Sequence, residues 1–175
     1  MVKLLIWLIL HGAHPSNDTL LHRHVAPHPK CSRCMAPSDS ILHCLRDCNR
    51  SRDVWGSVSL SLWSNFFNLD TIAWVSAGAG FFGVVNHFQA TQFCCILWWI
   101  WHARNYEIFS NKHIKSTQVL SQANIMAMES TRLLSKLEVS QTHIRRVQWE
   151  SPKLGYKLNV DGSSLGNTGH VAWEV

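Results

Sequence analysis

Two pairs of potential metal ligands in a short span constrain this chain more than any other feature. Cys31 and Cys34 form a C-x2-C pair, and after eight intervening residues His43 and Cys48 follow at H-x4-C spacing. A tight turn that presents two thiolates to one ion is the usual first half of a structural zinc site, because Zn(II) takes four soft or borderline ligands in a closed tetrahedron. The intervening residues include Pro37 and the turn formers Ser38, Asp39 and Ser40, so the chain can fold back and bring the second pair to the first. Two other readings stay open on spacing alone. The thiols can form a disulfide cluster or lie buried as small apolar groups, and Cys44 can replace His43 in an all-cysteine set, being an i,i+4 neighbour of Cys48 on a helix.

Cysteine usage bears on the first of these. The chain has six cysteines, but Cys94 and Cys95 are adjacent inside an apolar run, which does not suit a secreted disulfide framework. A reducing, intracellular environment is therefore expected, without a choice between nucleus and cytoplasm. At 175 residues and 46% hydrophobic composition the chain can build one ordinary core or two small ones. Its formal charge of +5 is spread along the sequence, which permits a nucleic-acid partner without arguing for one. The candidate basic face is Arg33, Arg46, Arg50 and Arg52 around the ligand pairs.

The first ten residues are apolar apart from Lys3, but a membrane span needs about 20 such residues, and no membrane partner is expected. His11 and Pro15 stand where a leader needs small residues for cleavage, so the segment reads as a helix preceding the ligand pairs. Asn17 or Asp18 can cap a second short helix carrying Leu20, Leu21 and Val25. His22, His24 and His28 lack a spacing that converges, and read as solvated side chains. Residues 57–69 are loosely helical in period, and the Ala77-Gly78-Ala79-Gly80 run with Gly83 predicts a loop over 70–85. That run lacks the lysine and hydroxyl of a phosphate-binding loop. Phe93, Ile96, Leu97, Ile100 and Trp101 recur at helical spacing within 86–112, and Trp98 and Trp99 widen the apolar surface to nearly the whole circumference. A second amphipathic helix over 116–137, with Val119, Ala123, Met126, Leu133 and Leu137 on one stripe, is expected to pair with it as an antiparallel hairpin. From Gln148 the pattern changes to strand, and Leu158 and Val160 alternate with Lys157, Asn159 and Asp161.

The C-x2-C-x8-H-x4-C pattern followed by Val54-Trp55 resembles the zinc-binding domain that follows the reverse transcriptase in plant LINE-type retrotransposon polyproteins. The W-x2-L-H-G-x2-P-S-N-D stretch from Trp7 is similar to the helix that precedes the zinc site in those polyproteins, and Leu97 to Phe109 resembles the segment joining the zinc site to ribonuclease H. Lys157 to Gly169 resembles the opening strand of type 1 ribonuclease H. The resemblance implies structural Zn(II) held by Cys31, Cys34, His43 and Cys48, an upstream reverse transcriptase as partner, and RNA or RNA–DNA hybrid as the nucleic acid. It also implies that Asp161 is the first of four carboxylates that hold two Mg(II) ions about 4 Å apart. Within this sequence Asp161 alone maps onto that set, so it is read as vestigial, and Mg(II) is expected only where the domain is complete.

The expected fold is mainly α. A zinc-binding helical domain spans 1–69, a loop 70–85, a helical connector 86–147, and a β-strand or hairpin from an incomplete ribonuclease H-like α/β domain 148–175. The function expected is a zinc-binding, nucleic-acid-associated module without catalysis of its own. The alternatives are a hybrid ribonuclease that needs the rest of its domain, and a retroelement remnant.

Overall fold

The computed structural model describes residues 1–58, 65–80, 86–139, 162–164 and 171–173. They are mainly helical, and they fall into two compact units, Met1–Ser140 and Gln141–Val175.

In the first unit, helix α1 (Val2–Leu10) buries Leu5 and Ile9, which are one turn apart, and ends at Gly12 in a left-handed conformation. Helix α2 is Asn17–His22. Its N-cap is Ser16 rather than Asn17 or Asp18, and Val25 lies beyond its end, exposed. The chain next forms a π-helical turn, His43–Asp47, and helix α3, Asn49–Trp55. Of the loosely helical stretch 57–69, residues 59–64 lie outside the described residues and residues 65–68 form a turn.

The loop expected over 70–85 is corrected in its first half, where Thr71–Gly78 forms helix α4. Asp70 caps it, its carboxylate accepting from the Ala73 N–H at 2.9 Å. The glycines that look like breakers serve other ends. Gly80 takes a positive φ just past the helix, and Gly78 lies so close to Phe93 that a Cβ there would sit 2.4 Å from its ring.

Helix α5, His87–Ser110, starts with a capping box in which Asn86 and Gln89 each accept the other's backbone N–H. It stops at Asn111, in the left-handed conformation that asparagine tolerates. Its buried stripe is Phe93, Ile96, Leu97, Ile100 and Arg104, with Cys95 beside it. Trp98, Trp99 and Trp101 are only partly covered, so the helix is buried along one stripe and not around its circumference.

Helix α6, Ser116–Val139, returns antiparallel to α5, as the pairing of Gln92 with Asn124 at 2.8 Å fixes. The stripe it buries is Val119, Ala123 and Ala127. These small side chains at i, i+4 and i+8 let the two helices approach closely. Leu133, expected on that stripe, is 58% exposed.

The core centres on four aromatic rings from four segments: Trp55, Phe66, Trp74 and Phe93, with neighbouring centroids 5.2–5.8 Å apart. Tilted and edge-on aromatic pairs of this kind contribute roughly 0.5–1.5 kcal/mol each beyond their buried area. The Trp55 indole donates to the Leu45 carbonyl at 2.8 Å, which ties this cluster to the π-helical turn.

In the second unit, strand β1 (Gly162–Ser164) pairs antiparallel with strand β2 (Val171–Trp173), Ser163 opposite Ala172. The strand expected up to Asp161, and Asp161 itself, lie outside the described residues. Among the described residues no helix is long and apolar enough to cross a membrane.

Candidate metal centre

The first ligand pair sits on a loop closed at its neck, where the Asp39 N–H donates to the Pro29 carbonyl at 2.7 Å. Inside it, Met35 N–H bonds to Cys31 O, and Cys31 N–H bonds to Ala36 O, both at 2.9 Å. This tight reversal needs a residue with positive φ after the second cysteine, and Met35 takes it at φ 60°.

The second pair is built by Ser40 and the π-helical turn. Ser40 Oγ accepts from the His43 N–H at 3.1 Å, and its carbonyl accepts from the Cys44 N–H at 2.8 Å, so the turn starts from a capped residue. The turn closes through the Cys48 N–H on the His43 carbonyl at 2.8 Å, five residues back. In a regular α-helix, residues five apart point about 140° away from each other at 100° per residue. The wider turn brings His43 and Cys48 round to the same side.

The result is a cluster in which one ligand atom from each of Cys31, Cys34, His43 and Cys48 lies within 4.8 Å of all the others. Cys31 Sγ is 4.0 Å from Cys48 Sγ, and Cys34 Sγ is 3.2 Å from His43 Nε2. A zinc tetrahedron with bonds of about 2.0–2.3 Å sets ligand atoms roughly 3.5–3.8 Å apart, so the donor set and its spacing fit that ion. Cys31 and Cys48 are fully buried and Cys34 and His43 partly covered, as befits a closed site with no position left for substrate. Among the described residues this is the one group of three or more such side chains able to hold a metal.

Cys44 is not in the cluster. Its thiol packs into the hydrophobic core, and burial, though opposed by Arg104, pushes it up to about 12, keeping it protonated. Cys31 behaves in the opposite way. It shares a hydrogen bond of 4.0 Å with the Cys48 thiol, and this contact, with the backbone N–H groups of Arg33 and Cys34 acting against burial, pulls Cys31 below the ordinary thiol range while Cys48 is pushed up. A metal bound there would hold both sulfurs as thiolates and release their protons.

The basic face expected from four arginines is corrected. Arg46 is 4% exposed, donates to the Leu69 carbonyl at 2.6 Å and pairs with Asp47 at 2.8 Å. Arg33 turns inward and donates to the Cys44 carbonyl at 2.6 Å and to Ser51 Oγ at 3.3 Å. Only Arg50 and Arg52 of the four stay at the surface. Arg50 shares Glu107 with His113, and Arg52 lies over the Phe67 ring. His22, His24 and His28 are exposed, as expected of solvated side chains.

A second polar group beside the centre went unread in the sequence. Asp39, in the linker between the ligand pairs, is fully buried and forms an ion pair of 2.7 Å with Arg104, which is 4% exposed. Asn17 joins both, its Oδ1 accepting from Arg104 at 3.2 Å and its N–H donating to Asp39 at 3.4 Å. The partners are 65 residues apart, and the only local signals were an acidic residue in the linker and an arginine on an apolar helix.

Residues 1–55 match the protein-family model described as zinc-binding in reverse transcriptase. Across 96% of its length the chain is 29% identical to a protein of Arabidopsis thaliana named "Putative ribonuclease H protein". It spans 28% of the length of that relative. No solved structure matches the chain.

Proposed function

We propose that the chain is a zinc-binding, nucleic-acid-associated module of a retrotransposon-derived reverse transcriptase and ribonuclease H polyprotein, in which Cys31, Cys34, His43 and Cys48 hold one structural Zn(II). The observation that carries this reading is the convergence of those four side chains, from two separate turns, within 4.8 Å. Zinc bound there fixes the linker and the π-helical turn, and its chemistry is structural because four protein ligands close the tetrahedron.

Charge favours His43 over Cys44 as the fourth ligand. Three thiolates and a neutral imidazole leave a zinc centre with one net negative charge, which the inward-turned Arg33 offsets; Asp39 and Arg104 cancel each other. A fourth thiolate would leave a second negative charge in the interior without a partner, which is costly. We read residues 1–69 as the zinc-binding domain, 86–147 as a connector, and 148–175 as the opening of a ribonuclease H-like domain to which Asp161 belongs. Mg(II) catalysis would require further carboxylates beside Asp161.

The test is metal content and affinity under reducing conditions. One Zn(II) per chain is expected, with a large loss of affinity in Cys31→Ser, Cys34→Ser, His43→Ala and Cys48→Ser. Cys94→Ser and Cys44→Ser should keep it. A chain that stays metal-free after refolding with zinc would end this reading. The name of the relative motivates the hybrid-ribonuclease alternative. Mg(II)-dependent cleavage of an RNA–DNA hybrid that Asp161→Asn abolishes would establish it.

A further inference from the structure

The buried Asp39–Arg104 pair lies where a positioning device for the metal loop would have to be. Asp39 is the residue whose N–H closes the neck of the loop on Pro29, two positions before Cys31. Its Oδ2 takes the Arg104 guanidinium at 2.7 Å, and Asn17, held by the same guanidinium, reaches the Lys30 carbonyl next to Cys31. One guanidinium on α5 therefore braces both strands of the neck. Arg104 is itself held from the side by the face of Trp101, 5.0 Å from its centroid. Asp39 Oδ1 has no hydrogen-bond partner among the described residues, so the carboxylate is held through Oδ2, by Arg104 and by the Asn17 N–H.

Resting on the ligand reading above, the structure assigns Arg104 as a positioning residue for the zinc site: through Asp39 and Asn17 it presets the loop carrying Cys31 and Cys34, and so couples metal loading to the seating of α5. Groups hydrogen-bonded directly to metal ligands change affinity by about 10–100-fold when removed, and Arg104 acts one step further back, through the loop backbone, which sets its expected effect at the lower end of that range. A buried ion pair adds little net stability beside an apolar substitute, whereas a lone partner left behind is costly, which suits a role in fixing geometry.

The experiment measures zinc affinity of the full reduced chain by competition with a chromogenic chelator, in Asp39→Asn, Arg104→Met and Arg104→Lys. Leu5→Ala, a core change on α1 outside both ligand-bearing turns, serves as the comparison variant at matched loss of thermal stability. Asp39→Asn and Arg104→Met should bind zinc about 10-fold or more weakly than that comparison. Arg104→Lys should recover part of the loss, because an ammonium keeps the charge but not the fork that spans Asp39 and Asn17. Affinities equal to that of the stability-matched core variant would overturn the assignment, and should Arg104→Met fail to fold, Asp39→Asn and Arg104→Lys decide it. A wild-type chain that binds no zinc removes the ligand reading and this inference with it. Wild-type binding with unchanged affinity in the variants removes the inference alone.

Discussion

His14 is fully buried edge-on to Trp101, and neither ring nitrogen has a hydrogen-bond partner among the described residues. Burial, helped by the positive charge of Arg104, lowers it from 6.5 to about 3, so the folded chain holds it neutral. The unfolded chain binds a proton on this ring below about 6.5 and the folded chain does not until about 3. Stability is therefore complete above pH 6.5 and is lost as pH falls through that window, at roughly 1.4 kcal/mol per pH unit for this group. His14→Phe should flatten the profile of chemical-denaturation midpoint against pH between 6.5 and 5; an unchanged profile would show that the ring does not titrate there. Met35 offers a second test at this scale. Its left-handed backbone costs an L-residue about 1–2 kcal/mol, partly offset because glycine loses more entropy on folding. Met35→Gly should raise the denaturation midpoint by an amount equivalent to about 0.5–1 kcal/mol.

Helix α4 shows how packing overrides propensity. In an open helix Gly→Ala gains about 1 kcal/mol. At Gly78 the new Cβ would meet the buried Phe93 ring at 2.4 Å, and overpacking of this kind costs about 1–3 kcal/mol, so Gly78→Ala should lower the melting temperature. This helix also marks the limit of what periodicity could reveal. The long helices α5 and α6 were legible because each carries many turns of repeating apolar residues and a clear start. Eight residues ending in Ala-Gly look like a loop, since the reason for the glycine lies on another helix. The convergence of Cys31, Cys34, His43 and Cys48 was legible from spacing, but the π-helical turn that aligns His43 with Cys48 was not, because it is tied to the core from a distance, through the Trp55 indole on the Leu45 carbonyl. For the same reason four arginines near in sequence looked like one face, while the fold turned two of them inward. Surface cations sit instead on α3 and on the turn after α5, at Arg50, Arg52, Lys112 and Lys115. On the nucleic-acid association proposed above, replacing Arg50, Lys112 and Lys115 together by glutamine should weaken binding to single-stranded RNA and reduce the slope of log affinity against log salt, by about 0.7 for each phosphate no longer neutralised. Arg33→Gln and Arg46→Gln should act through stability and leave that slope unchanged.

Across the whole Met1–Ser140 unit, the turn that carries His43 and Cys48 shares residues with the core. Cys44 and Leu45 of the π-helical turn belong to the same buried cluster as Trp55, Trp74 and Phe93, and Arg104 joins α5 to the linker between the ligand pairs. The loop is held by backbone hydrogen bonds, by the Asp39–Arg104 ion pair and by the side-chain bonds of Arg33 and Asn17. A ligand that binds only the folded state stabilises it by about 4 kcal/mol when its free concentration is a thousand times its dissociation constant. That is a large share of the roughly 5–15 kcal/mol available to an ordinary domain. Chelation should therefore disturb the aromatic core and not only the loop. The near-ultraviolet circular dichroism of the packed tryptophans should collapse, at or below 37 °C, in a transition coincident with zinc release, and stoichiometric zinc should restore it under reducing conditions. A chelated chain that kept its near-ultraviolet signal and melting temperature would show that the core stands without the metal, and that the centre is an appendage to the fold.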